Sequence, residues 1–240
     1  MIPVPLTDAQ IERYSRQIIL PEVGGRGQET LLQSAVALVG IGEVGRIAAW
    51  YLAGAGIGRL DVFAIANDPA LESLGEDLAD LNPDVSVHTG ILPNGTDRSP
   101  AWAGPYHVLI DTTGNPDTLS GLNAAAIALR IPLIAGGVRG ARGWLAVFEG
   151  HDATAPCVSC ADIAQRGGDG SGEHAPLTAA AAGVIASLQT IEAIKLRLGI
   201  ETRATGIWLQ YDAEALTMTE RLLSKRPDCS ACGPRSSLRI

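Results

Sequence analysis

A glycine-rich turn wedged between a buried strand and a helix constrains this chain more than any other feature. Ala35 to Val39 is an unbroken run of small and aliphatic residues, short enough for a strand covered on both faces. It passes directly into Gly40-Ile41-Gly42-Glu43-Val44-Gly45, and a helical pattern continues over 43–55 until Gly56. Glycine in such a turn permits a tight reversal and a close approach of backbone to a ligand, and the N-terminus of the following helix favours an anion. Strand, spacing and helix agree here, so Gly40, Gly42 and Gly45 are the candidate phosphate cradle. Glu43 cuts two ways. As a first-turn acid it complements the helix dipole, yet beside a phosphate path it repels a polyphosphate unless a metal intervenes.

Strands are expected at Leu60–Ile65, Val85–His88, His107–Asp111, Pro132–Ala135 and Trp144–Phe148. Between them lie a helix over 71–81, stopped by Asn82-Pro83, and another that opens at Asn115-Pro116 and runs to about Arg130. This alternation implies an α/β fold, a doubly wound Rossmann-like sheet. A glycine-rich loop at 165–176, a long alanine-rich helix from Thr178 to Leu198, and two closing strands at Ile207–Tyr211 and Leu216–Leu222 follow. The expected organisation is one unit over 1–240, with an N-terminal helical segment at 1–34, a nucleotide-binding-like core at 35–150, and a closing-sheet region with the cysteines at 151–240.

A net charge of −8 argues against nucleic-acid binding, which needs a basic face. The longest apolar stretch, Leu177 to Leu188, is too short to span a bilayer, and the N-terminus lacks a signal-peptide pattern. A cytoplasmic location without membrane contact is the expectation, and there cysteines serve as thiols or metal ligands. Cys157-Val158-Ser159-Cys160 and Cys229-Ser230-Ala231-Cys232 are two matched C-x2-C pairs, a set suited to one structural zinc. A zinc site of this kind would use every cysteine and leave no thiol nucleophile.

Other candidates carry less. Asp111 ends a strand at the edge where open α/β sheets bind ligands; it suits either a ligand contact or a loop-capping carboxylate. A dinucleotide fold places an acid about 20 residues after the glycine loop, but the stretch there is Ala64-Ile65-Ala66-Asn67-Asp68, and Asp68-Pro69 suits a turn. His88, His107, His151 and His174 show no ligand spacing. Arg13 and Arg16 lie ahead of the first strand, where an arginine could reach a neighbouring site or simply sit on a solvated helix.

An ordered set of segments resembles the E1-like activating enzymes of the ThiF/MoeB/HesA type, adenylyltransferases of sulfur-carrier proteins. The set comprises Arg13-Tyr14-Ser15-Arg16-Gln17-Ile18-Ile19-Leu20, Gly27-Gln28-Glu29, Leu38 to Gly42, Tyr51 to Gly58, Asn82-Pro83, Asp111-Thr112-Thr113-Gly114-Asn115, Ser187-Leu188-Gln189, Glu192 to Lys195, Tyr211-Asp212-Ala213 and both cysteine pairs. The resemblance implies activation of the C-terminal glycine of a ubiquitin-like protein by ATP and magnesium. It also implies a structural zinc on Cys157, Cys160, Cys229 and Cys232, and a homodimer in which Arg16 reaches the partner protomer's ATP.

Departures fall where that chemistry would lie. Two aspartates expected after the second strand are Ala64 and Ala66. The segment that carries an asparagine, an arginine and a lysine to the phosphates is missing, and Pro69 leads almost at once into a helix. Gly114 stands where a magnesium-binding aspartate is expected, and Glu43 where a glycine is. No cysteine occupies 165–176. The expectation is an E1-like protein with a zinc-bearing C-terminal extension and a degenerate site at Gly40, Gly42, Gly45, Arg16 and Asp111. It would be a binding or dimer subunit for a ubiquitin-like or sulfur-carrier partner, as a homodimer or beside an active homologue. The alternatives are an active adenylyltransferase with an altered site, an NAD(P)-dependent oxidoreductase, and a repurposed crevice for a smaller ligand.

Overall fold

The computed structural model describes residues 5–92, 104–161 and 178–233. The glycine-rich loop at 165–176, with His174, lies outside the described residues.

Three helices come first: α1 (Asp8–Arg13), α2 (Ser15–Ile18) and α3 (Gly24–Leu32). Then follow β1 (Ala35–Val39), α4 (Glu43–Ala55), β2 (Arg59–Ala64), α5 (Ala70–Leu81), β3 (Ser86–Ile91), β4 (Val108–Asp111), α6 (Pro116–Leu129), β5 (Leu133–Arg139) and β6 (Arg142–Phe148). A short α7 (Val158–Ala161), a long α8 (Ala179–Leu198), β7 (Ile207–Asp212) and β8 (Thr217–Leu222) complete the order. One eight-stranded sheet runs β3-β2-β1-β4-β5-β6-β7-β8. Strands β3 to β5 in that order are parallel, and β6, β7 and β8 are added antiparallel.

Alternate residues of β1 feed opposite cores. Val36 and Leu38 join the layer under α4, α5 and α8, whereas Ala35, Ala37 and Val39 join the layer under α6 and α7. This two-sided burial is why the strand is apolar without alternation. α8 has the length and composition to cross a bilayer, a possibility the dozen-residue apolar count missed. It packs instead on α4, β5 and β6, with Ala182, Ile185, Ala186 and Ala193 fully buried, and reads as a core helix.

Local signals set the element ends. Gly56 ends α4 at φ 83°, and Asn115 caps α6 by accepting from the backbone N–H groups of Asp117 and Thr118. The strands extend past their expected bounds where hairpin pairing recruits them: β5 runs on to Arg139 and β6 begins at Arg142 because Arg139 pairs with Arg142.

Helices α1 and α2 are solvated, with Arg13 and Arg16 exposed, but Tyr14 between them is buried. Tyr14 is 1% exposed, and its hydroxyl bonds to Asn82 and Asp84. Asn82 also donates to the Ala53 carbonyl at 2.7 Å, and Gln28 donates to the Ala55 carbonyl at 3.0 Å. A Cβ on Gly56 would fall 2.7 Å from the Tyr14 ring, so that glycine is required by packing as well as by its φ. Arg13 adds an ion pair to Asp84 at 3.1 Å. Three segments distant in sequence thus close around the end of α4.

At the amino end of the parallel strands, Asp61 is buried and receives Arg59 on both carboxylate oxygens, together with the Tyr106 hydroxyl. Burial pushes the Asp61 carboxyl up, but these donors outweigh it and hold it below the usual carboxylate range.

Two outcomes follow. Asn82→Ala removes bonds at both Tyr14 and Ala53 and should cost about 2–4 kcal/mol, read as a lowered urea midpoint at unchanged slope. The depressed Asp61 carboxyl contributes stability in full above the ordinary aspartate value and loses it as pH falls through its lower folded value. Tyr106→Phe should therefore reduce stability at neutral pH and flatten its decline below about pH 4, measured by denaturation against pH.

Candidate functional site

The crevice sits where the strand order reverses, between the carboxyl ends of β1 and β4, the location at which open α/β sheets bind ligands. Gly40 adopts φ 104°, and a Cβ there would lie 2.6 Å from the Thr112 hydroxyl oxygen. A Cβ on Gly45 would meet the Gly40 carbonyl at 2.0 Å and the same hydroxyl at 2.7 Å. Thr112 fills the space both glycines leave, donating its hydroxyl to the carbonyls of Val39 and Gly40 at 2.9 and 3.1 Å. Gly42 caps α4 with extended backbone, and Glu43 is exposed beside it. The glycine turn is therefore clamped from behind by Thr112, which directly follows β4.

Asp111 is fully buried. Its Oδ1 accepts from the Thr113 backbone N–H at 3.0 Å and from the Thr113 hydroxyl at 2.7 Å, which is the loop-capping arrangement. Gln189 of α8 donates to the Asp111 carbonyl at 2.7 Å and ties the long helix to the crevice floor. Gly114 follows at φ 61°, with its Cα 3.3 Å from the place a Gly137 Cβ would take. This left-handed backbone and the facing glycine leave Gly114 pressed against β5.

The connection from β2 to α5 is a short turn. Asp68 is exposed, and its Oδ1 accepts the Ala70 backbone N–H at 2.9 Å, which makes it a turn residue. Asn67 is exposed. Arg16 is exposed on α2, so the structure does not draw it into the crevice within one chain. His107 accepts the Ala35 N–H at 2.9 Å, and burial, with Arg197 nearby, lowers its pKa. His88 lies 3.2 Å from Asp61.

The two cysteine pairs, separated by most of the last third of the chain, come together. Cys157 and Cys160 flank the start of α7, and Cys229 and Cys232 follow β8. Sγ separations are 3.8 Å for Cys157–Cys160, 3.7 Å for Cys157–Cys229 and 3.5 Å for Cys160–Cys232, and all four lie within 4.8 Å of one another. A disulfide would need about 2.05 Å. Four thiolates about 2.3 Å from a central zinc stand about 3.8 Å apart, so the set fits a tetrahedral metal. The Arg226 N–H points at Cys160 Sγ at 3.4 Å, the kind of outer donor that steadies a ligating thiolate. Burial pushes the Cys157 thiol up. At Cys229 burial acts in the same direction, but the Cys232 and Ala231 N–H groups outweigh it and hold the thiol at about 6. These residues could hold a metal ion such as zinc.

Trp144, which the sequence does not single out, lies beside the loop that follows Asp111. Its indole stacks on Trp208, with centroids 4.4 Å apart and planes 9° from parallel. A Gly137 Cβ would lie 2.9 Å from Trp144 Nε1, which puts the ring edge at the same glycine that faces Gly114. The pairing of Trp144 with Gly137 across the β5–β6 hairpin is what brings it there, and no periodicity in the sequence displays that register.

The ThiF family model matches residues 14–67 and 63–231. The molybdopterin-synthase adenylyltransferase of Salmonella typhimurium is 32% identical over 252 residues, covering 95% of this chain and 98% of the relative. The sulfur carrier protein adenylyltransferase of Thermus thermophilus is 30% identical over 256 residues, covering 97% and 94%. A crystal structure of E. coli MccB with ATP superposes with a TM-score of 0.76 at 17% identity, over 92% of this chain and 73% of that one, a likeness of fold. These matches do not favour the dinucleotide-oxidoreductase alternative. With the ThiF pattern running through nearly all of the glycine-loop core and on to the cysteine clasp, the chain belongs to the ThiF family, the E1-like group that includes the sulfur-carrier adenylyltransferases.

Proposed function

We propose that this protein is a zinc-stabilised ThiF-type subunit that binds a ubiquitin-like or sulfur-carrier partner, with an adenylation site too depleted for ordinary turnover. It would act as a homodimer or as the silent half of a heterodimer with an active homologue. The observation that carries this reading is Gly114. The position that the family resemblance gives to a magnesium-binding aspartate is a left-handed glycine packed against Gly137. Asp111, the remaining carboxylate, spends Oδ1 on capping its own loop. The β2–α5 turn leaves no length for the missing cation-bearing segment, and its one acid accepts the Ala70 N–H within the turn. The residues present therefore do not fit Mg-ATP held in the family's manner. Nucleotidyl transfer depends on positioned cations, and loss of one such donor typically costs about 3 kcal/mol, a hundredfold or more in rate.

The scaffold residues have a different basis. Tyr14, Gln28, Gly56 and Asn82 are engaged in packing and hydrogen bonds around α4, and the four cysteines in a metal-competent cluster, so each is needed for shape whether or not ATP is used. This supports a protein that keeps binding surfaces without the reaction.

The second reading is an active adenylyltransferase with an altered site. The near-complete coverage of relatives bearing that name favours it. ATP–pyrophosphate exchange with candidate carriers separates the two. The expected result is exchange no higher than the carrier-free background, and unrestored by Gly114→Asp alone, because the cation-bearing segment between β2 and α5 is missing as well. Robust carrier-dependent exchange would sink the inactive reading.

For the cysteine cluster, the expected content is about one zinc per chain by elemental analysis. Cys229→Ser should abolish it and lower the melting temperature by roughly 5–10 °C, and chelation of the unaltered protein should do likewise. Unaltered stability after complete metal removal would contradict a structural role.

A further inference from the structure

At the amino end of the parallel strands, away from the crevice, two nitrogen-bearing side chains meet at the start of β1. Arg197 of α8 donates its Nε–H to the Ser34 hydroxyl at 2.8 Å, and His107, just ahead of β4, accepts the Ala35 N–H on Nδ1 at 2.9 Å. Ser34 and Ala35 are consecutive, so both side chains are drawn to one place, and both are only partly buried. Ser34 is itself buried and donates onward to the Thr30 carbonyl at 2.7 Å, a fixed anchor for the arginine. With Nδ1 accepting, the neutral imidazole carries its proton on Nε2. Burial lowers the His107 pKa and the Arg197 charge lowers it further, which keeps the ring neutral near pH 7.

Arg197 is set apart in a chain of net charge −8. Among the described residues no carboxylate pairs with it, and burial lowers its pKa with no acid to offset the shift. A cation taken partly out of water without a counter-charge is costly. The helix end does not need it: the Gly199 and Ile200 N–H groups take the Leu196 and Lys195 carbonyls, and Lys195 pairs with Glu192 at 2.8 Å. With Nε committed to Ser34, the two terminal nitrogens present the end-on fork that matches a carboxylate.

We infer that Arg197 and His107 form a second binding site, one for the carboxylate of a small molecule, held end-on by the Arg197 fork and by His107 Nε2–H. One full positive charge beside one neutral donor balances a monoanion. A phosphate dianion would bring an excess negative charge to the same partly buried place. The site stands at the opposite end of β1 and β4 from the glycine loop, so it is separate from any anion bound there and does not depend on whether the protein adenylates. α8 brings Arg197 to this site and Gln189 to the Asp111 carbonyl, so the two ends of the sheet share one helix.

The test titrates the intact chain with acetate, and separately with inorganic phosphate and with chloride at matched ionic strength. Binding is read from the His107 imidazole resonances, assigned by their loss in His107→Gln, and from the amide resonances of Gly42 and Gly45. The expected result is a saturable His107 shift with acetate, none with chloride, and glycine amides that acetate leaves in place. Arg197→Met keeps the aliphatic stem and removes the charge, and should weaken acetate binding roughly tenfold, as for loss of a hydrogen bond to a charged group. Arg197→Lys keeps the charge without the fork and should weaken it less. If Arg197→Met does not fold, the lysine variant and the resonances of the unaltered protein decide. A His107 shift that chloride reproduces, no His107 shift with acetate, or acetate affinity unchanged in the Arg197 variants overturns the site. Tighter binding of phosphate than of acetate at His107 overturns its assignment to a carboxylate.

Discussion

The Thr112 hydroxyl, seated against two glycines and bonded to the carbonyls of Val39 and Gly40, is the contact on which the crevice depends. It joins β1 to β4 at the point where the strand order reverses, and so sets the distance between the glycine loop and the loop after Asp111. Any side chain at Gly40 or Gly45 would occupy the hydroxyl's place. The glycines of this loop therefore have a packing reason that holds with or without a bound phosphate. A glycine signature by itself is weak evidence of nucleotide use for that reason.

The same separation of shape from chemistry runs through the molecule. Tyr14, Gln28 and Asn82 look like functional punctuation in the sequence but form a buried clasp at the end of α4. The cysteines fasten the stretch after β8 to α6 and α7, where Ile127 packs on them. Lys225 adds a second tie to the carbonyls of Asp152 and Ala155. These devices stabilise the antiparallel extension, whose outer strand β8 is exposed along its length and makes little core of its own. Opposite this, the positions that would handle a triphosphate are turned to local structural work: Asp111 and Asp68 cap their own turns, and Gly114 packs on Gly137.

Element positions were legible in the sequence because they rest on local chemistry. The apolar run of β1, the Gly56 stop and the Asn115-Pro116 start each act within a few residues, and the observed ends lie within a residue or so of those expected. The cysteine set was legible because only paired thiols at that spacing suit one tetrahedral ion. What stayed hidden was pairing over long separations. Nothing local in Gly137 or Trp144 states that they face one another across a hairpin, or that Trp208 stacks behind.

The sequence by itself determined a doubly wound sheet, a glycine loop, a four-thiol set and the loss of charged residues, since composition, period and spacing are written along the chain. Only the tertiary structure decided that Tyr14 is buried beneath Gly56, that Asp111 caps its own loop, that Gly114 is left-handed and packed, and that an indole stands at the crevice edge. The physical reason is that burial, backbone handedness and the partner of a donor belong to the neighbours a residue meets across space, and those are fixed only when distant strands take their register.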